Sequence, residues 1–458
     1  MKSFKKPADL AFAVPFLLVL TVLTVISFII PLRPTQSQME KRNLAEFPDF
    51  SWNTLVSGTY FDDITTWFSD TFPGRESWLQ LSSSIESLHG YSDISFTSDI
   101  DLSQPNTVVP AATEESEEWL PVDAFYPTEE TPAESDASDV TEETVPAETQ
   151  WGGVTMADDT EVELGSGALI QIGDAVYNQV GFSDICSAKY AKSVSRIADA
   201  VADQGVRVIS APAPTAIGIM LEPQDLEKVN CADQNATIQY IHSLMSDNVI
   251  TVDTYAALVP HNDQYLFFRT DHHWTALGAY YAYAATCEAA GYQPAALEDF
   301  EVWNQGEFEG SLYWRAPHPK KLRLDTVDAY IPQGDIEVLA YNTNNYAKKH
   351  QLLFDCTQRA TNTKYLTFLG TDYPMTEITN NSLPDGPTCI LVKDSFGNAI
   401  APFYTQNYHK IYAIDYRKYH VTLKWMLEKY DVDDIIFSPY VISTQAIDGN
   451  NLFENLCR

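Results

Sequence analysis

A chain of 458 residues with a formal net charge of −35 and a sequence pI near 4.4 has room for two or three domain-sized units, or for one α/β domain with insertions. It lacks the clustered Lys and Arg that phosphate binding needs, which argues against nucleic acid as a partner. Much of the acidity is local, because the stretch from Ala111 to Gln150 holds many carboxylates and no Lys or Arg, so the remainder is only moderately acidic.

In chain order, Lys2, Lys5 and Lys6 precede an uncharged apolar run from Leu10 to Ile30. Some ~21 helical residues at ~1.5 Å each cover roughly 31 Å, the thickness of a bilayer core. The basic flank comes first, so the positive-inside rule places the N-terminus in the cytoplasm and everything after Pro31 outside. A cleaved leader is the competing reading. Its apolar region is shorter, roughly 7–15 residues, and no small-x-small site follows Ile30. Residues 1–32 are therefore expected to form an uncleaved transmembrane anchor. Residues 33–100 read as a stalk, with a helical pattern through Phe61, Ile64, Trp67, Phe68 and Trp78 that breaks at Phe72-Pro-Gly-Arg75. Residues 101–155, rich in Glu, Thr, Pro, Ser and Ala, lack the apolar residues that offset ordering entropy and are expected to be disordered.

Residues 156–458 read as an α/β catalytic domain. Strand patterns at Ala168–Ile172, Val206–Ser210 and Val249–Val252 alternate with helical patterns at Ser187–Gln204 and Gln234–Ser246. The rhythm returns with strands at Cys389–Val392, Ile411–Ile414 and Ile435–Phe437 and helices at Phe396–Gln406 and Leu423–Tyr430. Such alternation implies crossover units and a central parallel sheet. Residues 300–387 break it and read as an irregular or β-rich insertion on the face that carries the site. The six cysteines, Cys186, Cys231, Cys287, Cys356, Cys389 and Cys457, are even in number and exported, which suits disulfides. Their spacing sets no pairing and contains no CxxC, and buried free thiols are the alternative.

Two motifs carry chemistry. Arg269-Thr-Asp-His-His-Trp-Thr275 stands before a helical run that Thr275 can N-cap. Side chains two apart in an extended segment project together, so Asp271 and His273 pair while His272 faces away. A carboxylate beside an imidazole fixes its tautomer and stabilises the imidazolium, as a general base requires. A structural hydrogen-bonded cluster accounts for the same pattern, and so does a metal-ligand set; zinc, however, needs a third ligand, and none has the right spacing. Val392-Lys-Asp-Ser-Phe-Gly-Asn398 places Ser395 where a strand ends and a helix begins, so its hydroxyl is held out and nearby amides face a developing oxyanion. Gly397 leaves room for close approach by backbone or acyl group. Alone, the motif serves equally as a helix cap.

At these residues the sequence resembles the DHHW family, named for the tetrapeptide Asp271-His272-His273-Trp274. That family is similar to the alginate O-acetyltransferases, which are SGNH-hydrolase-like. The resemblance extends over most of the exported chain, through the Lys-Arg-Asn-Leu stretch, Asp70–Arg75, Gly310-Ser-Leu-Tyr313, the Asp-Ser-Phe block and Asp415-Tyr-Arg417. It implies a three-layer SGNH-like domain with Asp271 as orienter, His273 as base and Ser395 as nucleophile. Lys393 stands where typical SGNH hydrolases carry glycine, so no oxyanion role transfers to that position. Arg417, Tyr440 and Asn398 are the candidates for the oxyanion or for gripping a sugar, with packing as the competing role.

These readings make the chain a membrane-anchored, extracytoplasmic O-acetyltransferase of a cell-surface or secreted polysaccharide, working through an acyl-enzyme without cofactor or metal. The resemblance further implies a membrane-bound O-acyltransferase partner that delivers acetyl groups. A polysaccharide acetyl-esterase with the same triad is the alternative, as is a catalytically silent glycan-binding or assembly protein.

Overall fold

A computed structural model describes residues 168–458 throughout, with 152–156, 160 and 162–164 before them and isolated positions between 36 and 121. The expected anchor, residues 1–32, lies outside the described residues, as do almost all of the stalk and the acidic segment. Among the described residues no helix is long and apolar enough to cross a membrane. The chain divides into two compact units, Met1–Asp93 with Thr107–Ala112, and Ile94–Asn106 with Thr113–Arg458. In the first, Gln36–Ser37 pairs antiparallel with Arg42–Asn43, and Thr71 donates N–H and hydroxyl to the Trp67 carbonyl.

The second unit is built on a nine-stranded sheet. Its strands are β1 (Leu120–Pro121), β2 (Arg207–Ser210), β3 (Val249–Thr251), β6 (Ile336–Tyr341), β7 (Tyr346–His350), β8 (Met375–Asn380), β9 (Thr388–Lys393), β10 (Lys410–Asp415) and β11 (Asp434–Ser438), in the order β1-β7-β6-β8-β10-β9-β11-β2-β3. From β10 to β3 every pairing is parallel. Along these strands alternate residues enter two separate cores. Ile209, Leu391, Ile411 and Ile436 join one; Val208, Ile390, Val392, Ile414 and Ile435 join the other. Burial on both faces explains why they read as near-continuous apolar runs.

Helices α3 (Ala276–Ala289) and α4 (Gly397–Tyr404) cover the first face. On the second lie α1 (Asp184–Val201) and α5 (Leu423–Lys429). Oxygen caps open the helices where the sequence offers them. Ser183 accepts from the Cys186 N–H, Asp233 from the Ala236 N–H at the start of α2 (Gln234–Ser243), and Thr275 from the Gly278 N–H.

The expected central parallel sheet proves to be part of a larger mixed one. Residues 300–387 extend it with β8, β6 and β7, all antiparallel. They also form a separate antiparallel pair, β4 (Glu301–Phe308) with β5 (Asp325–Ile331). In β7, Tyr-Ala-Lys-Lys-His, only Ala347 is buried, and Tyr346 stands exposed. Such a strand buries little on its other face, which suits a place near the outer end of the antiparallel extension, beside the two-residue β1. All six cysteines are free, five of them buried.

Candidate active site

Ser395 sits in the turn between β9 and α4, at the carboxyl edge of the parallel strands. Asp394 shapes that turn. One of its oxygens accepts from the Phe396 N–H at 3.0 Å, and the other from the Tyr440 N–H at 2.7 Å and the Tyr416 hydroxyl at 3.2 Å. Burial raises the Asp394 carboxyl above its ordinary range, against the pull of Arg417. The Trp274 indole N–H donates to the Phe396 carbonyl at 3.0 Å, and the Tyr365 hydroxyl to the Ser395 carbonyl at 2.9 Å. The Ser395 turn is thus tied to four separate segments, through Trp274, Tyr365, Tyr416 and Tyr440.

The structure brings Ser395, His273 and Asp271 together. His273 Nε2 lies 2.8 Å from Ser395 Oγ, and His273 Nδ1 lies 2.5 Å from Asp271 Oδ1. A carboxylate only accepts, so the proton sits on Nδ1, leaving Nε2 to accept from the serine hydroxyl. Asp271 is 3 % exposed and His273 2 %. Burial opposes ionisation of Asp271, but the two imidazoles and the Ser311 N–H hold its carboxyl well below the usual range. Tyr365 stacks on the His273 ring at 3.9 Å and Phe396 leans on it at 5.0 Å, which shields the imidazole from water.

His272 corrects one expectation. It does not face away, because residues 269–273 form a bend closed by a bridge between Phe267 and Trp274 rather than an extended strand. Within the bend Asp271 Oδ1 also accepts the His273 N–H at 3.0 Å. His272 lies 3.8 Å from the His273 ring, its Nδ1 3.0 Å from Ser311 Oγ. Burial, then the neighbouring His273, pushes its imidazole down to about 3, so it stays neutral. Asp271, His272 and His273 offer ligand-type atoms within 4.8 Å of one another, but both ring nitrogens of His273 are engaged, by Asp271 and by Ser395. A metal ion there would have to displace those bonds.

The other sequence candidates surround this centre. Arg417 is held by Asp415, at 2.8 Å through Nε and 2.6 Å through Nη2, and by Asp372 at 2.8 Å. Asn398 donates to Asp372 at 2.8 Å, and its own side-chain oxygen is buried with no partner among the described residues. Tyr440 stacks on Phe396 at 4.3 Å, and its hydroxyl is likewise buried without a partner. The Ser395 N–H makes no backbone hydrogen bond among the described residues. Gly397 admits the Lys393 side chain rather than an acyl group: an added Cβ would stand 2.3 Å from Lys393 Cβ. Lys393 itself is buried 3.5 Å from Asp372.

Sequence reasoning missed Ser311, Tyr365 and Asp372, all from residues 300–387. Gly310-Ser-Leu-Tyr313 had stood out as a motif without a role. Its role is that the Ser311 N–H donates to Asp271 Oδ2 at 2.7 Å. Tyr365 and Asp372 carry no local signal, because only the tertiary fold brings them to the site.

Residues 40–114 and 134–414 match the family model described as DHHW protein. A DHHW family protein from Eubacterium siraeum DSM 15702 is similar at 27% identity with a TM-score of 0.58, over 64% of this chain and 97% of that one. Bacillus cereus PatB1 shares the fold at 17% identity and a TM-score of 0.51, over 65% of this chain and 100% of that one. The O-acetyltransferase domain of Pseudomonas putida AlgJ is a more distant match, at 14% identity and a TM-score of 0.34, over 65% of this chain and 99% of that one. No curated protein matches the chain.

Proposed function

This chain belongs to the DHHW family, and from that premise and the geometry of its site we propose that it is an extracytoplasmic serine O-acetyltransferase of a polysaccharide. The observation that carries the reading is the continuous hydrogen-bond line from Asp271 through His273 to Ser395. Ser395 Oγ attacks the acetyl carbonyl carbon while its proton passes to His273 Nε2. The tetrahedral intermediate collapses, the leaving oxygen takes the proton from His273, and acetyl-Ser395 remains. A sugar hydroxyl then gives its proton to His273 as its oxygen attacks, and collapse returns Ser395 with its hydrogen.

The unengaged Ser395 N–H is the nearest donor for the oxyanion. The Tyr440 hydroxyl is a second. The Asn398 oxygen suits a sugar hydroxyl, since it can only accept, and Arg417 adds positive charge held in place by its two carboxylates. The apolar run at Leu10–Ile30 keeps the enzyme at the membrane, beside a membrane-bound O-acyltransferase that supplies acetyl groups.

In cells making the full chain, Ser395→Ala is expected to abolish acetylation of the surface glycan while protein level is unchanged. Unaltered acetylation would overturn the proposal. Incubating the wild-type chain with an activated acetyl ester and an oligosaccharide is expected to yield acetylated sugar. Release of free acetate alone would make it an esterase.

A further inference from the structure

The triad carboxylate is itself held by a second, buried carboxylate. Asp325 opens β5 and is 1 % exposed. Asp325 Oδ1 accepts from the Tyr265 hydroxyl at 2.5 Å and the Arg269 N–H at 2.8 Å. Asp325 Oδ2 accepts from the Thr270 N–H at 2.8 Å and the Thr270 hydroxyl at 2.5 Å. Because the carboxylate only accepts, the single Thr270 hydroxyl proton points at Asp325. The hydroxyl oxygen is then free to accept, and the Gly310 N–H donates to it at 2.9 Å.

The next two amides of the strap Gly310–Leu312 continue the pattern. The Ser311 N–H donates to Asp271 Oδ2 at 2.7 Å and the Leu312 N–H to the Thr270 carbonyl at 2.9 Å. The contact is close enough that only glycine fits at 310, since an added Cβ would lie 2.3 Å from the Thr270 carbonyl oxygen. Asp325 therefore sets the direction of the Thr270 hydroxyl, the hydroxyl sets the height of the strap, and the strap fixes the second oxygen of Asp271. Arg269 closes the arrangement from outside, its guanidinium 3.6 Å from Asp325 Oδ1 and 4.6 Å from the Tyr265 ring centre.

We propose that Asp325 and Thr270 are positioning residues for acyl transfer, acting through Gly310–Ser311 to aim Asp271 at His273. The inference rests on the acyl-enzyme reading of Ser395. It gives residues 300–387 a catalytic purpose, since both β5 and the strap belong to them. Neither residue touches the reacting atoms; their effect passes through Asp271.

The test follows the burst of nitrophenol released as 4-nitrophenyl acetate acylates Ser395 in the full chain, as a function of pH, together with thermal unfolding. Thr270→Val, which keeps the shape and removes the hydroxyl, is expected to slow acylation about tenfold or more, the size seen when an outer support of a working group is lost. Its acid limb is expected to move to lower pH, because an imidazolium less firmly held by Asp271 forms less readily. Asp325→Asn is expected to act in the same direction. Thr270→Ser, which restores the hydroxyl, is expected to recover most of the rate lost in Thr270→Val. If Thr270→Val lowers only the unfolding temperature, with rate and acid limb those of the wild type, the inference is overturned. It is also overturned if Thr270→Ser is as impaired as Thr270→Val. A wild-type chain that gives no burst overturns the acyl-enzyme reading itself, an outcome distinct from a wild-type burst that the variants leave unchanged.

Discussion

Replacing Asp271 by Asn separates charge from geometry in the hydrogen-bond line from Asp271 through His273 to Ser395. Asp271 Oδ1 accepts from both His273 Nδ1 and the His273 N–H, whereas Oδ2 accepts from the Ser311 N–H alone. The asparagine amide therefore settles with its oxygen towards His273 and its NH2 towards Ser311, opposing one donor instead of two. In that orientation the imidazole keeps its tautomer but loses the negative charge that supports the imidazolium. Two charges at ~4 Å and an effective dielectric of ~20 interact by about 4 kcal/mol, which corresponds to roughly a thousandfold in rate. The opposed Ser311 N–H costs about 1–3 kcal/mol of stability. Stopped-flow acylation by 4-nitrophenyl acetate, with chemical denaturation run in parallel, measures both quantities. An Asp271→Asn chain that is folded and acylates within tenfold of the wild type would refute the assignment of Asp271 as the charge behind His273.

Gly310→Ala brings a methyl group within 2.4 Å of Asp271 Cβ and 2.3 Å of the Thr270 carbonyl oxygen, so the strap must lift. The expected cost is about 1–3 kcal/mol of stability, with a larger relative loss in the rate at which a fluorophosphonate labels Ser395; a labelling rate equal to the wild type would show that the strap does not govern Asp271. His242 supplies a pH dependence. Its Nε2 is buried without a partner among the described residues, and burial pushes the imidazole from the ordinary 6.5 down to about 4, against the pull of Asp253. The unfolded chain therefore takes up this proton between the two values while the folded chain does not. Stability from this group is full above the unfolded value and falls on acidification by up to about 3 kcal/mol. Denaturation midpoints at about pH 7.5 and about pH 4.5 should differ less in His242→Gln than in the wild type, and equal differences would remove His242 as a cause.

The amino-acid sequence by itself determined the elements that depend on local rules. Apolar runs bounded by turn residues became β2, β9, β10 and β11, because strands buried on both faces need no alternation. The cap expected at Thr275 opens α3, whereas α1 begins at Asp184, ahead of the expected Ser187, because Ser183 caps it. The two motifs that meet in the site, Asp271-His-His-Trp274 and Lys393-Asp-Ser395, were also visible, since each needs its residues close together in the chain.

What tertiary structure alone decided is how the motifs meet and what holds them. His273 and Ser395 lie 122 positions apart, and that contact follows from packing α3 and α4 on one face of the sheet. Strand alternation misplaced His272, because the backbone there bends around the Asp271 carboxylate instead of running extended. Residues 300–387 looked irregular, yet they supply Asp325, Ser311, Tyr365 and Asp372. A hydrogen bond from a distant amide or phenol leaves no periodic trace in a sequence, so these supports became visible only when the fold brought them to Asp271 and Ser395.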